Sequence, residues 1–149
     1  MSVGTICNRE VVIAEKESSV SEAAKLMREY HVGNVIVTEN RNGLNYPVGM
    51  VTDRDIVIKL IAKDIDIDAV NVGIIMAEDL VVAREDDDLI DTVKKMCGKG
   101  VRRLPVIDAS GALIGILAMD DLVDLFAEQL RDLAGLIRKE LLYEKNLRP

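Results

Sequence analysis

The chain has 149 residues, 49% of them hydrophobic and only 3% aromatic, with a formal net charge of −7. That length and content suit one compact domain, or two small halves sharing an aliphatic core. No apolar run reaches the ~18–20 residues of a membrane span, the N-terminus lacks a basic stretch followed by an apolar one, and the negative charge opposes the phosphate contacts that dominate nucleic-acid affinity; a cytoplasmic protein without membrane or nucleic-acid partners is expected.

In chain order, the β-branched run Val11–Ile13 predicts a first strand. A helix follows, with Ser19 and Glu22 as a capping pair and Ala23, Ala24 and Met27 on its apolar face. His31 reads as a turn or surface residue. Strands are predicted at Val35–Val37 and Val48–Val51, joined by a loop over Glu39–Pro47 that carries an Asn42-Gly43 turn signal, and a second helix opens near Asp53. Asp64, Asp66 and Asp68 lie in the link that follows and superficially resemble a calcium loop. The sixth and twelfth positions are Ala69 and Ile75 rather than Gly and Glu, which excludes one.

The whole pattern then recurs. Val12, Met27, Val32 and Val37 reappear 69 residues later as Val81, Met96, Val101 and Val106, the mark of an internal repeat. The second copy predicts a strand at Leu80–Val82, a helix capped by Asp88 and Asp91 with Val93, Met96 and Cys97 inward, strands at Leu104–Ile107 and Leu113–Leu117 around a tight turn at Asp108–Gly111, and a helix near Asp120. Beyond it Leu130, Leu133, Ala134, Ile137, Leu141 and Leu142 recur at helical spacing. This stripe docks either on the domain itself or on a second copy of the chain. Cys7 and Cys97 have no tight spacing, so they make neither a disulfide framework nor a zinc site; reduced thiols in apolar surroundings are expected.

The segment Gly49–Ile56, GMVTDRDI, carries the most chemistry. Thr52 ends a strand, Asp53 begins a helix and Asp55 sits in its first turn, where backbone N–H groups and the helix dipole favour an anion. An ionised carboxylate can accept two adjacent hydroxyls, so Asp55 is equipped to grip a ribose, Thr52 to add a hydrogen bond and Arg54 to reach a phosphate. The same Thr-x-x-Asp spacing is also a capping box, and the residues alone leave both readings open. The second copy keeps a carboxylate, Asp121, but has Ala118 in place of the threonine. The basic run Lys94–Arg103 suits a small anion or a solvated face. A single histidine, with no nucleophile–base pair or metal cluster, argues against an enzyme.

The ordered set VSEAAKLM…VGNVIV…GMVTDRDI and LIDTVKKM…VRRLPVID…GILAMDDL resembles a tandem pair of CBS domains, the cystathionine-β-synthase-type repeats whose pair is called a Bateman module. The resemblance implies an α/β (α+β) fold of two β-α-β-β-α repeats packed with pseudo-two-fold symmetry, plus a C-terminal helix. It sets repeat 1 at 4–63, a linker at 64–72, repeat 2 at 73–129 and the amphipathic helix at 130–149. It also implies two clefts that bind an adenosine-containing regulatory ligand such as AMP, ADP, ATP or S-adenosylmethionine, with no catalytic cofactor and no metal. In the first cleft Thr52, Arg54 and Asp55 would meet the ligand opposite Met76, Ala77 and Val81. In the second, Asp121 would hold the ribose beside Cys7 and Val12, with Arg102 and Arg103 toward phosphate. The first copy has Gly33 and Asn34 at those arginine positions. The resemblance further implies a homodimer and a regulated protein partner. The alternatives are an adaptor with degenerate clefts or a fragment related to IMP dehydrogenase, although the barrel domain that carries that chemistry is missing from this chain.

Overall fold

The computed structural model describes residues 1–147. In the first repeat, α1 (Val3–Ile6) is followed by β1 (Ile13–Glu15), α2 (Val20–Tyr30), β2 (Asn34–Arg41), β3 (Leu44–Thr52) and α3 (Asp53–Lys59). In the second, α4 (Val72–Ile75) precedes β4 (Ala83–Arg84), α5 (Leu89–Lys99), β5 (Arg103–Ile107) and β6 (Leu113–Ala118). Each repeat forms its own three-stranded sheet, in the orders β1-β2-β3 and β4-β5-β6. The first pair of strands is parallel in both, with a helix as the crossover that parallel strands require.

The predicted caps form. Ser19 and Glu22 make a reciprocal capping box at α2, and the Asp88 carboxylate accepts from the Asp91 N–H at α5. His31 is the left-handed C-cap of α2, with φ 53. The buried faces are offset from the predicted ones. α2 buries Val20, Ala23 and Met27 and α5 buries Leu89, Thr92 and Met96, while Ala24 and Cys97 are exposed. The first strand begins two residues later than Val11, at Ile13, although the Val12 carbonyl already accepts from the Ile36 N–H of β2 at 3.0 Å. The loop predicted over Glu39–Pro47 is mostly strand. Arg41 pairs with Leu44 across a two-residue turn at Asn42 and Gly43, and a bulge between Val37 and Thr38 takes up the odd residue.

Each repeat is completed by a segment of the other. Val72, Ile75 and Met76, which precede the second sheet, sit in the core of the first with Val20, Met27, Val35 and Val51. The N–H groups of Val72 and Gly73 donate to Ser18 and Lys16 carbonyls at 2.9 and 3.0 Å. The counterpart bonds, from Val3 and Gly4 to Asp87 and Glu85, measure 2.9 and 2.8 Å. Further on, Met50 bridges Ala77 and, by the same symmetry, Ile116 bridges Asn8. The region assigned to a linker holds a short helical turn at Ile67–Ala69, and α4, at the start of the span assigned to repeat 2, packs in the core of repeat 1.

The crossing explains two equivalent glycines. A Cβ on Gly49 would stand 2.5 Å from the Met76 sulfur, and one on Gly115 would stand 2.7 Å from the Cys7 sulfur and 2.8 Å from the Asn8 carbonyl.

From Ala118 onward the chain is a second unit, a single 29-residue helix, α6 (Met119–Leu147). The tail helix predicted from 130 has no separate start. No proline or cap interrupts the run, so it continues the helix predicted near Asp120; its last two residues, 148–149, lie outside the described residues. Leu130, Leu133, Ile137, Leu141 and Leu142 on α6 are exposed. No helix among the described residues is long and apolar enough to cross a membrane.

Two glycine substitutions should act with opposite sign in denaturant unfolding. Gly115→Ala drives a methyl into a short side chain and a backbone oxygen and should cost about 1–3 kcal/mol. Gly98→Ala, in α5 with open space around it, should stabilise by about 0.5–1 kcal/mol.

Candidate functional site

A cavity of about 420 Å³ opens where the end of β3 meets the second repeat. The first repeat supplies Met50, Thr52 and Arg54. The second supplies Ala77, Asp79, Leu80 and Val81 from the segment entering β4, and Gly100–Arg103 from the turn into β5. The Met50–Ala77 bridge sets this meeting point, with both N–H groups bonded across it at 3.2 and 2.9 Å.

Parallel pairing then brings the arginines. Ala83 is opposite Val106, so the segment entering β4 and the start of β5 come to the same end of the sheet, and Leu80 and Arg103 line the same cavity. Arg102 and Arg103 therefore share a cavity with Thr52 and Arg54, rather than with Cys7 and Val12 as the resemblance implied. The adjacency of strands in a parallel β-α-β unit is a signal that could have placed them, since Val81 was already assigned to the first cleft. Met50, Asp79, Leu80, Gly100 and Val101 also went unassigned in the sequence. Among the described residues, no carboxylate forms an ion pair with Arg54 or Arg103.

The anion site expected at the N-terminus of α3 is closed in this structure. The Asp53 N–H donates to the Gly33 carbonyl at 3.0 Å, the Arg54 N–H to Asp53 Oδ1 at 2.8 Å, and the Asp55 N–H to Thr52 Oγ1 at 3.1 Å. Asp55 completes the capping box by accepting from the Thr52 N–H at 2.9 Å. Its other oxygen lies 3.4 Å from Lys59 Nζ, which also donates to the Ile75 carbonyl at 2.8 Å. Asp55 is thus built as a cap tied to α4 and is not part of the cavity wall. An anion entering here would meet arginine side chains rather than open backbone donors.

Met76 and Cys7 are both buried and line neither cavity. Each fills the space beside an equivalent glycine. Burial pushes the Cys7 thiol above its ordinary pKa, against the opposing charge of Arg9. Val12 does line a cavity, one of about 530 Å³ formed with Asn8, Glu10, Val11, Ile13, Leu26, Tyr30 and Val32. Asp121 lies in the first turn of α6, within the second unit. Among the described residues, no group of three or more His, Cys, Asp or Glu side chains could hold a metal ion.

Comparison with known proteins adds a family. The chain matches the CBS domain over residues 3–62 and again over 69–128. It is 35% identical over 123 residues to an uncharacterized protein of Methanopyrus kandleri, covering 83% of this chain and 61% of that one. In structure it is similar to a protein with CBS domains from Burkholderia ambifaria, with a TM-score of 0.75, 27% identity, and 87% and 96% of the two chains covered. It is also similar to a CBS domain protein from Pyrobaculum aerophilum, solved in complex with AMP, with a TM-score of 0.73, 23% identity and coverage of 82% and 90%.

The Thr52 cap has a stability consequence separate from any ligand. Thr52→Ala should lower unfolding free energy by about 0.5–2 kcal/mol, while Thr52→Ser, which keeps the acceptor oxygen, should stay near wild type in the same denaturant titration.

Proposed function

The chain belongs to the CBS domain family, and from that premise we propose that it is a non-catalytic regulatory module that binds an adenosine-containing ligand between its repeats. Binding would shift the chain between states that differ in their affinity for a partner. The observation that carries this reading is the cavity at the end of β3, lined by three arginines from two repeats together with aliphatic residues and one carboxylate, Asp79. Arginine forks match phosphate oxygens bidentately, so Arg54, Arg102 and Arg103 are assigned to an anionic tail. Met50, Leu80 and Val81 offer an apolar face to a base. Thr52, which lines the cavity, is assigned to the ribose; Asp55, held behind it by the capping box, would join it only by leaving its cap, where its carboxylate could accept both hydroxyls.

AMP, ADP and ATP fit this charge better than S-adenosylmethionine does. The Pyrobaculum aerophilum protein of the same fold binds AMP, which supports the same class of ligand here. The exposed apolar residues of α6 are assigned to assembly, with a homodimer as the simplest closed form. Those residues also favour a second reading, an adaptor that works through α6 alone.

Calorimetry on the full chain separates the two. AMP or another adenine nucleotide should bind wild type, and Arg102→Ala with Arg103→Ala should weaken it by roughly tenfold or more, the scale of a lost charged hydrogen bond. Absence of heat with AMP, ADP, ATP and S-adenosylmethionine alike would leave the adaptor reading.

A further inference from the structure

The second unit is a single helix, so the apolar face of α6 has nothing within that unit to pack against. Val123, Phe126, Leu130, Leu133, Ile137 and Leu141 follow one another in steps of three and four, which sets them in one stripe along the helix. Phe126 is half-buried, and the other five are each more than half exposed. Five aliphatic side chains in a row make a patch of the few-hundred-Å² size that marks an interaction site on a soluble protein. Most helical stability in water comes from packing such a face rather than from propensity.

The charges decide what fits it. From Met119 to Asp132 the helix carries five carboxylates and one arginine; from Leu133 to Leu147 it carries three cations and two carboxylates. A second α6 running parallel would set acidic half against acidic half, and such juxtapositions are penalised. Running antiparallel, it sets each acidic half against a basic one. Glu140 and Glu144 continue the apolar stripe beyond Ile137 and Leu141. In a parallel pair each would meet its own copy across the seam. An antiparallel pair that opposes Leu130 to Leu133 and Phe126 to Ile137 instead brings Glu140 to the end of the overlap, opposite Val123. A foreign groove would not require the charge of α6 to reverse along its length.

We propose that α6 pairs antiparallel with α6 of a second copy, about a two-fold axis between Leu130 and Leu133. The same patch then serves both chains, as a closed two-fold contact requires. The overlap from Val123 to Glu140 spans about 27 Å. The inference rests on the assignment of α6 to assembly and adds the occupant, its direction and its register.

Cysteine cross-linking of the full chain tests it. With the exposed Cys97 changed to serine, Val123→Cys and Glu140→Cys are placed on separate chains and co-expressed, one chain carrying an affinity tag so that the products differ in mass. The two positions are seventeen residues apart, about 25 Å along the helix, so a short bis-maleimide joins only positions that face each other. The expected product is the covalent heterodimer, in large excess over either homodimer, and wild type should sediment with the mass of two chains. Leu130→Glu with Leu133→Glu on both chains should abolish the cross-link. Both positions are exposed, and a thermal melt checks that the variant folds. Homodimers as the main product, or a cross-link that survives the paired glutamates, would overturn the proposal. A two-chain mass with no cross-link would overturn it while leaving the homodimer reading intact. A one-chain mass for wild type would remove both.

Discussion

The reciprocal crossing of short N-terminal segments is the constraint on which the fold of the two repeats depends. Val72, Ile75 and Met76 are covalently part of the second repeat yet finish the core of the first. Burying three such side chains contributes roughly 1.5–3 kcal/mol each, a sum comparable to the 5–15 kcal/mol net stability of an ordinary domain. The backbone bonds at both crossings are near-duplicates, and a glycine clears the way for a sulfur side chain at each.

The crossing also makes the candidate site. A segment that has just traversed the first core emerges at Ala77, is pinned against Met50, and runs on to Val81 along the end of β3. Its sheet partner β5 follows, and the start of β5 carries the arginines. Asp55 connects this wall to the crossing, because Lys59 bridges the Asp55 carboxylate and the last carbonyl of α4. A ligand that drew Asp55 from its cap would therefore pull on the segment that locks the repeats together.

Much of this was legible in the residues. The 69-residue offset, the Ser19 and Asp88 caps and the Asn42-Gly43 turn all express local chemistry, and each appears where its spacing put it. What was hidden depended on contacts between distant parts of the chain. Asp55 could be read as a cap or as a ribose ligand because both use the same atoms at the same spacing; the bond from its partner Lys59 to the Ile75 carbonyl, sixteen residues on, shows only in three dimensions. Arg102 and Arg103 were placed in the wrong cavity because the resemblance was applied cleft by cleft without following strand adjacency. Cys7 and Met76 were taken for wall residues, yet the glycines opposite them demand that they fill core. The long α6 was divided at 130 because a repeat boundary ended there, although no residue in that stretch breaks a helix.

The central claim is that one cavity is assembled from both repeats and recognises an anionic adenosyl ligand. Amide chemical-shift mapping of the isotopically labelled chain during AMP titration tests it most directly. The account predicts that signals of Met50–Arg54, Ala77–Val81 and Gly100–Arg103 move together with one affinity. Shifts confined to a single repeat, or no saturable shift at these amides, would contradict it.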